Sequence, residues 1–282
     1  MAWAPPAEQA RDAIPAETGP NVLDLPAYLR RIDYAGEIAP TREALAALHL
    51  AHATHIPFEN LDILLGRPIV LDLASIQAKL VGARRGGYCF EHNLLFAAVL
   101  MEFGFGFTQL AARVRHRTTA ILPRSHMLLL VEVEGSRWLA DVGFGGEGLL
   151  LPVPFGAGAE VRHFAWTYRV IEEAGSTWVL QSRRNDAWLD LYAFSLEAQH
   201  AVDYQIANHY MSTHPNSRFV QTLTVQLPGA QRRMILRQRE LVEDRGEAVA
   251  ARTLADDDEL LQVLQETFGL CFPAGTRFRG FP

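Results

Sequence analysis

The sequence predicts an α+β protein in which helices come first, a small antiparallel barrel or curled sheet second, and a mixed segment last. Three observations predict it. Apolar residues recur at helical spacing from Asp24 to about Phe103, they alternate with a period of two after Gly106, and beyond residue 214 a strand pattern is followed by one acid-capped helix. Helices segregated from strands in this way indicate α+β architecture rather than an alternating parallel sheet.

The helical part is justified by its caps. Asp24 opens Leu25–Ile32 with Pro26 in the first turn, Thr41 opens a helix carrying Leu45, Leu48 and His52, and a short helix runs from Asp72 through Val81. A fourth begins near Cys89, with Phe90, Leu94, Ala97, Ala98 and Met101 as its buried stripe and Gly104 where a C-terminal cap belongs. The strands expected are Leu110–Arg115, Met127–Val133, Trp138–Val142, Phe164–Ile171, Trp178–Gln181 and Trp188–Phe194, with turns at Gly135-Ser136 and Gly175-Ser176. Ser195 is the expected cap of a helix reaching about Tyr210. Phe219–Gln226 and Met234–Arg237 read as a hairpin, and Asp256 to Glu259 place negative charge on the first turn of a last helix, Asp257–Phe268.

The 282 residues suggest about two domains, at roughly 100–200 residues each. Apolar residues form 49% of the chain and charged residues 21%, which excludes a disordered or collagen-like chain. A net charge of −6 argues against a nucleic-acid partner. No apolar run approaches bilayer length, and residues 1–22 carry four prolines and no apolar core of a secretory signal, so a cytoplasmic protein with a loose N-terminal arm is expected. The one lysine, Lys79, stands beside 25 arginines, a bias that coding preference explains as well as function does.

The informative stretch is Arg84-Arg85-Gly86-Gly87-Tyr88-Cys89-Phe90-Glu91-His92-Asn93. Two glycines allow a close backbone approach, and the cysteine that follows opens a helix, whose free amides favour thiolate and can hold an oxyanion. Cys271, between Leu270 and Phe272, reads as core. The two cysteines make no disulfide framework, and Cys89 with His92 on one helix face supplies two ligands, too few for a metal centre, so no metal is expected.

A nucleophilic cysteine needs a base and a group that orients the base. Of the ten histidines, His126 enters an apolar strand whose neighbour carries Asp141. With the turn at Gly135-Ser136, residues i and 271−i face each other, so His126 and Asp141 share a face but stand four residues apart, too far for a hydrogen bond. A bulge, a wider loop or strong twist has to close the gap. His49, His52 and His55 recur every three residues and read as surface or interhelix packing, whereas His209 and His214 flank the end of a helix with no spacing rule to select them.

The chain resembles the arylamine N-acetyltransferases from about residue 23 onward. The resemblance lies in the Arg84–Asn93 stretch, Ser125-His126-Met127, Asp141-Val142-Gly143-Phe144-Gly145-Gly146 and, upstream, Ile56-Pro57-Phe58-Glu59-Asn60-Leu61. It implies a Cys89, His126, Asp141 triad in a fold related to papain-like cysteine hydrolases. The implied layout is an arm over residues 1–22, a helical bundle over 23–105 with the nucleophile, a β-barrel over 106–214 with the histidine and aspartate, and an α/β lid over 215–282. It also implies acetyl-coenzyme A as acetyl donor, small aromatic amines, hydroxylamines or hydrazines as acceptors, ping-pong kinetics and no metal. Phe144 is the candidate wall of the aryl pocket, with packing inside the barrel as its alternative, and Glu59 with Arg84 matches a family ion pair. No motif designates the residues that contact coenzyme A. The same triad with water as acceptor would make a protease or amidase, with a carrier-bound acyl chain an amide synthase, and with an inert thiol a binding protein.

Overall fold

The computed structural model describes residues 22–156 and 158–280, so the expected arm, except for Val22, lies outside the described residues. Helices α1 (Leu25–Arg31) and α2 (Arg42–His55) begin where expected, because the Asp24 carboxylate accepts from the Ala27 amide and the Thr41 hydroxyl from that of Ala44. A two-residue strand β1 (Phe58–Glu59) and the single turn α3 (Leu61–Leu64) follow, neither of which the apolar pattern signals. Helix α4 (Leu73–Gln77), capped by Asp72, widens into a π-helical turn over Ala78–Gly82.

Helix α5 (Cys89–Glu102) starts at the cysteine and ends before Gly104. Its expected apolar stripe is only part of what it buries. Met101 is 65% exposed, whereas Glu91, His92 and Asn93 are buried, because α5 is enclosed between the other helices and the barrel wall.

The barrel comprises β2 (Gly106–Val114), β3 (Arg124–Val133), β4 (Ser136–Ala140), β5 (Val153–Pro154), β6 (Val161–His163), β7 (Trp166–Glu173), β8 (Thr177–Arg184) and β9 (Ala187–Phe194). They form one antiparallel sheet in the order β5-β4-β3-β2-β9-β8-β7-β6, and it nearly closes where the chain after β5 lets the Gly158 amide donate to the Val170 carbonyl at 2.8 Å. Strand β3 is apolar on both faces for a reason. Leu128 and Leu130 point into the barrel with Leu110 and Tyr168, whereas Met127, Leu129 and Val131 join the core of the helices.

The turn between β3 and β4 is Glu134-Gly135, both with positive φ (51° and 72°), not Gly135-Ser136. Leu129 therefore faces Ala140 and Val131 faces Trp138, which shifts the pairing by two residues from the expected register.

The C-terminal part contains α6 (Ala201–Thr213), α7 (Arg218–Gln221), β10 (Thr224–Leu227), β11 (Arg233–Arg237), β12 (Glu240–Asp244), β13 (Val249–Thr253) and α8 (Asp257–Phe268). Ser195 does not cap α6. The cap is His200, whose amide the Asp203 carboxylate accepts, and the chain from 195 to 200 is irregular. The expected strand over Phe219–Gln226 is half helix, since Ser217 caps α7 and pairing with β11 begins only at Thr224. Strand β1 joins this sheet beside β10, giving the order β1-β10-β11-β12-β13. Cys271, read as core, is exposed, because the chain leaves the last helix at Gly269 and turns Leu270 and Phe272 to the core on either side of it. Among the described residues no helix is long and apolar enough to cross a membrane.

A buried ion network braces the segment that leads into α5. The Arg85 guanidinium meets Glu59 at 2.6 Å and Asp62 at 3.3 Å, and Lys79 joins Asp62 at 3.0 Å to Glu91 at 2.8 Å. Glu91 in turn accepts from the Tyr88 amide at the helix start, and Glu59 from the amides of Leu61 and Gly86. The partner of Glu59 is thus Arg85 and not Arg84. Arg84 sits at φ 51°, and this left-handed residue turns its own side chain to solvent and the next one inward.

Removing one partner of a buried pair strands the other charge and costs about 3–5 kcal/mol. Arg85→Ala should therefore destabilise the protein by that amount in urea unfolding, while Arg84→Ala should change stability by no more than about 0.5 kcal/mol. Equal effects would refute the pairing.

Candidate active site

Cys89 lies on the first turn of α5, 97% buried, with its sulfur 3.5 Å from the Ser125 carbonyl oxygen. The neighbouring residue on β3, His126, turns toward it. With the observed register the positions opposite His126 and Asp141 on the two strands are only two residues apart, about 7 Å along the ladder. β4 ends at Ala140, which frees Asp141 to lean across, and its Oδ2 meets His126 Nε2 at 2.7 Å. That leaves Nδ1 of the ring for the sulfur. The gap that strict pairing seemed to impose is closed by the turn falling one residue earlier and by the end of the strand.

Asp141 is only 1% exposed, and its other oxygen is also used: Oδ1 accepts from Asn93 Nδ2 and from the Gly143 amide, each at 3.0 Å. Burial raises its pKa, but the His126 charge and these hydrogen bonds outweigh it and hold the carboxyl below its usual range. For His126 burial opposes the charge, and Asp141, helped by the nearby Cys89, lifts it to about 10.

Three residues that the motifs leave unassigned hold this arrangement. Asn93, one turn beyond Cys89 on α5, donates also to the Met127 carbonyl and accepts from the Val142 amide. His49 accepts the Asp141 backbone N–H at its Nε2 and donates from Nδ1 to the Leu150 carbonyl, which fixes it as neutral. Burial pushes its pKa down to about 4. Gly143 must be glycine, since a Cβ there would stand 2.7 Å from Asn93 Nδ2 and 2.8 Å from Cys89 Cα. Asn93 was legible as the end of a motif, but nothing in the spacing of His49 pointed to Asp141.

His92 does not face Cys89. Its Nε2 donates to the Pro57 carbonyl, so its Nδ1 accepts from His52 Nε2 at 2.9 Å, and His52 Nδ1 accepts in turn from the Tyr28 hydroxyl. This closed chain of neutral rings accounts for both His52 and His92 as buried structural groups. His55 is exposed, and its ring bonds to Thr54 and Ala51 of its own helix. His209 is exposed and His214 stacks on Tyr210, both outside the cleft.

The cleft above Cys89 is walled by His126, Phe144, Phe58, Met211 and Phe219 and has a volume of about 100 Å³. Phe144 meets His126 edge-on at 5.2 Å and is also packed against the barrel core beside Tyr192. Phe144 thus lines the cleft and packs on the barrel at once. No group of three or more metal-ligating side chains occurs among the described residues.

A cysteine, histidine and aspartate so joined occur in more than one enzyme class, and comparison with known proteins decides between them. The N-acetyltransferase family model matches residues 41–276. The arylamine N-acetyltransferase of Escherichia coli (strain K12) is 42% identical over 246 residues, covering 86% of this chain and 87% of its own. The chain belongs to the arylamine N-acetyltransferase family. Crystallographic relatives have the same fold. The family member from Nocardia farcinica superposes with a TM-score of 0.85 at 39% identity, covering 89% of this chain and 90% of its own. The Mycobacterium marinum arylamine N-acetyltransferase, in complex with CoA, gives 0.84 at 36% identity, covering 88% and 93%.

The shifted ionisations couple the His126–Asp141 pair to stability. Asp141, held low, contributes above its unfolded value of 3.8 and loses that contribution as the pH falls through its folded value. His126, raised from 6.5 to about 10, contributes fully below 6.5 and declines until pH 10. Asp141→Asn should cost about 3–5 kcal/mol between pH 4 and 6.5, with the difference from the native protein narrowing toward pH 10. A difference that stays flat or widens in alkaline denaturation curves counts against a charged pair.

Proposed function

We propose that the protein transfers an acetyl group from acetyl-coenzyme A to the nitrogen of small aromatic amines, and to arylhydroxylamines and arylhydrazines, through an acetyl-Cys89 thioester. One observation carries this reading: in a chain of this family, Cys89 sits in a narrow cleft beside His126, which is bonded to buried Asp141 at 2.7 Å. The E. coli relative bears the name of that activity and the M. marinum relative is described with CoA bound.

Cys89 is the nucleophile, His126 the proton carrier and Asp141 the group that orients and charges it. The Cys89 thiolate attacks the acetyl carbonyl carbon, a carbon–sulfur bond forms while the bond to the coenzyme's sulfur breaks, and the leaving thiolate takes the His126 proton. Amides at the start of α5 offer donors for the oxyanion. Acetylation removes the sulfur's negative charge, one of the influences that keep His126 protonated, so the ring is readier to act as base in the second half. An arylamine, neutral at pH 7, then attacks the thioester and gives its proton to His126, which restores the starting pair. Two half-reactions sharing one cysteine require ping-pong kinetics.

The cavity supports acetyl rather than a long acyl chain. At about 100 Å³ it is below the ~150 Å³ cavity that binds benzene in a protein core, so it holds the acetyl group while the acceptor's ring stays toward the opening, with Phe144 as the aromatic wall. We assign the layout to a papain-related plan: a helical unit with the nucleophile to residue 105, a barrel unit over 106–214, an α/β lid after it, and a cytoplasmic setting.

Intact-protein mass spectrometry after mixing with acetyl-coenzyme A tests this directly. One acetyl mass on Cys89 that an added arylamine discharges is expected, with none in Cys89→Ser, and Asp141→Asn should lower kcat by at least about 10³-fold. Discharge by water at the same rate as by amine would make the protein a hydrolase instead.

A further inference from the structure

The mouth of the cleft is lined by arginines that have no acidic partner. Arg218 opens α7 and Arg237 ends β11, on the strand face that also carries Ile235 and Arg233, and both line the same cleft as Cys89. Arg117 stands in the loop after β2 and adds its field to theirs. Among the described residues none of these three guanidinium groups has an ion pair or a side-chain hydrogen bond, and Arg237 Nε is buried with no acceptor. The nearest carboxylate in the cleft, Glu147, is committed to Arg184 and Arg233.

The cost of this arrangement is visible on its neighbours. Burial and the adjacent Arg218 and Arg117 hold the Arg237 guanidinium below its ordinary value. Burial, and then Arg117, Arg237 and Arg218, push the His116 imidazole down to about 4 despite Glu147. Both ring nitrogens of His116 are buried with no hydrogen-bond partner among the described residues, and the ring lines the cleft. Arg85, Lys79, Arg184 and Arg233, by contrast, pair with carboxylates, and the buried Arg31 guanidinium donates to the Leu80 and His55 carbonyls. Glu147 and, across the strand pair, Glu240 offset this repulsion only in part, and positive charge converging on a cleft with no ion pair of its own among the described residues suits a multiply charged anion.

We propose that Arg218 and Arg237, reinforced by Arg117, receive the phosphate groups of coenzyme A. This rests on the acetyl-transfer reading above and names the residues that seat its donor. Several phosphate charges at the far end of the pantetheine arm match several unpaired guanidinium groups better than the single carboxylate of an acidic arylamine does. The thioester end then reaches the narrow part of the cleft, where the phosphates do not fit. His116 supplies one further donor to the same anion.

The test compares two acetyl donors, acetyl-coenzyme A and S-acetyl-N-acetylcysteamine, which carries the thioester without the phosphates. The ratio of their kcat/KM values should fall about tenfold in Arg218→Gln and in Arg237→Gln and about 100-fold in the double variant, mostly through KM for acetyl-coenzyme A. Removing mutually repelling charges leaves folding unthreatened, and the truncated donor reports on the cysteine in each variant. Calorimetric binding of adenosine 3′,5′-bisphosphate, weakened tenfold or more in the double variant, gives the same comparison without turnover. An unaltered donor ratio with unaltered bisphosphate binding overturns the proposal. So does a loss confined to carboxylated acceptors such as 5-aminosalicylate, which would assign the arginines to the acceptor. Failure of the native protein to acetylate Cys89 from either donor sinks the acetyl-transfer reading, and the bisphosphate measurement still decides the phosphate site.

Discussion

A carboxylate with 1% of its surface exposed is tolerated only when every part of it is used, and Asp141 meets that condition from four directions. β3 supplies His126, α5 supplies Asn93, the loop after β4 supplies the Gly143 amide, and α2 supplies His49, which takes up the aspartate's own backbone N–H. Cys89 is placed by the same contact. Asn93 follows Cys89 by one helical turn, so the rotation of α5 that brings the amide to Asp141 also brings the sulfur to His126. Helical core and barrel are therefore locked together at the point where the chemistry is proposed.

The second sheet secures the other side of the same loop. Gln226 on β10 accepts the Gly146 amide at 2.6 Å, and Arg233 on β11, fully buried over the Trp166 ring, donates to the Gly148 carbonyl and pairs with Glu147. Phe144 thus lies on a segment clamped between barrel and C-terminal sheet. The shape of the cleft is set in part by residues some eighty positions downstream.

Much of this was legible because caps and periodicity act locally. Asp24, Thr41, Asp72 and Asp256 start helices as expected, and α8 runs over Asp257–Phe268 as read. Cys89, His126, Asp141 and Phe144, named by motif, all line or adjoin one cleft. What failed depended on single backbone choices. The Glu134-Gly135 turn moved the hairpin register by two, the left-handed Arg84 exchanged the roles of two adjacent arginines, and Gly269 put Cys271 outside. His49 and His52 were read as packing because their partners, Asp141 and His92, come from elements distant in sequence. Helical spacing records which face is apolar but not which polar group waits opposite.

The bias that leaves Lys79 as the only lysine has a practical result when joined to its position. Its ammonium group, clasped between Asp62 and Glu91 with its side chain 15% exposed, is protonated and therefore a poor nucleophile toward acylating reagents. Burial opposes that charge, but the surrounding carboxylates raise its pKa far enough to keep it. Side-chain amine chemistry on this protein is consequently silent while the segment before α5 is closed. Modification at Lys79 becomes a clock for the opening of the segment that presents the cysteine, read with a reagent that never touches the cysteine itself.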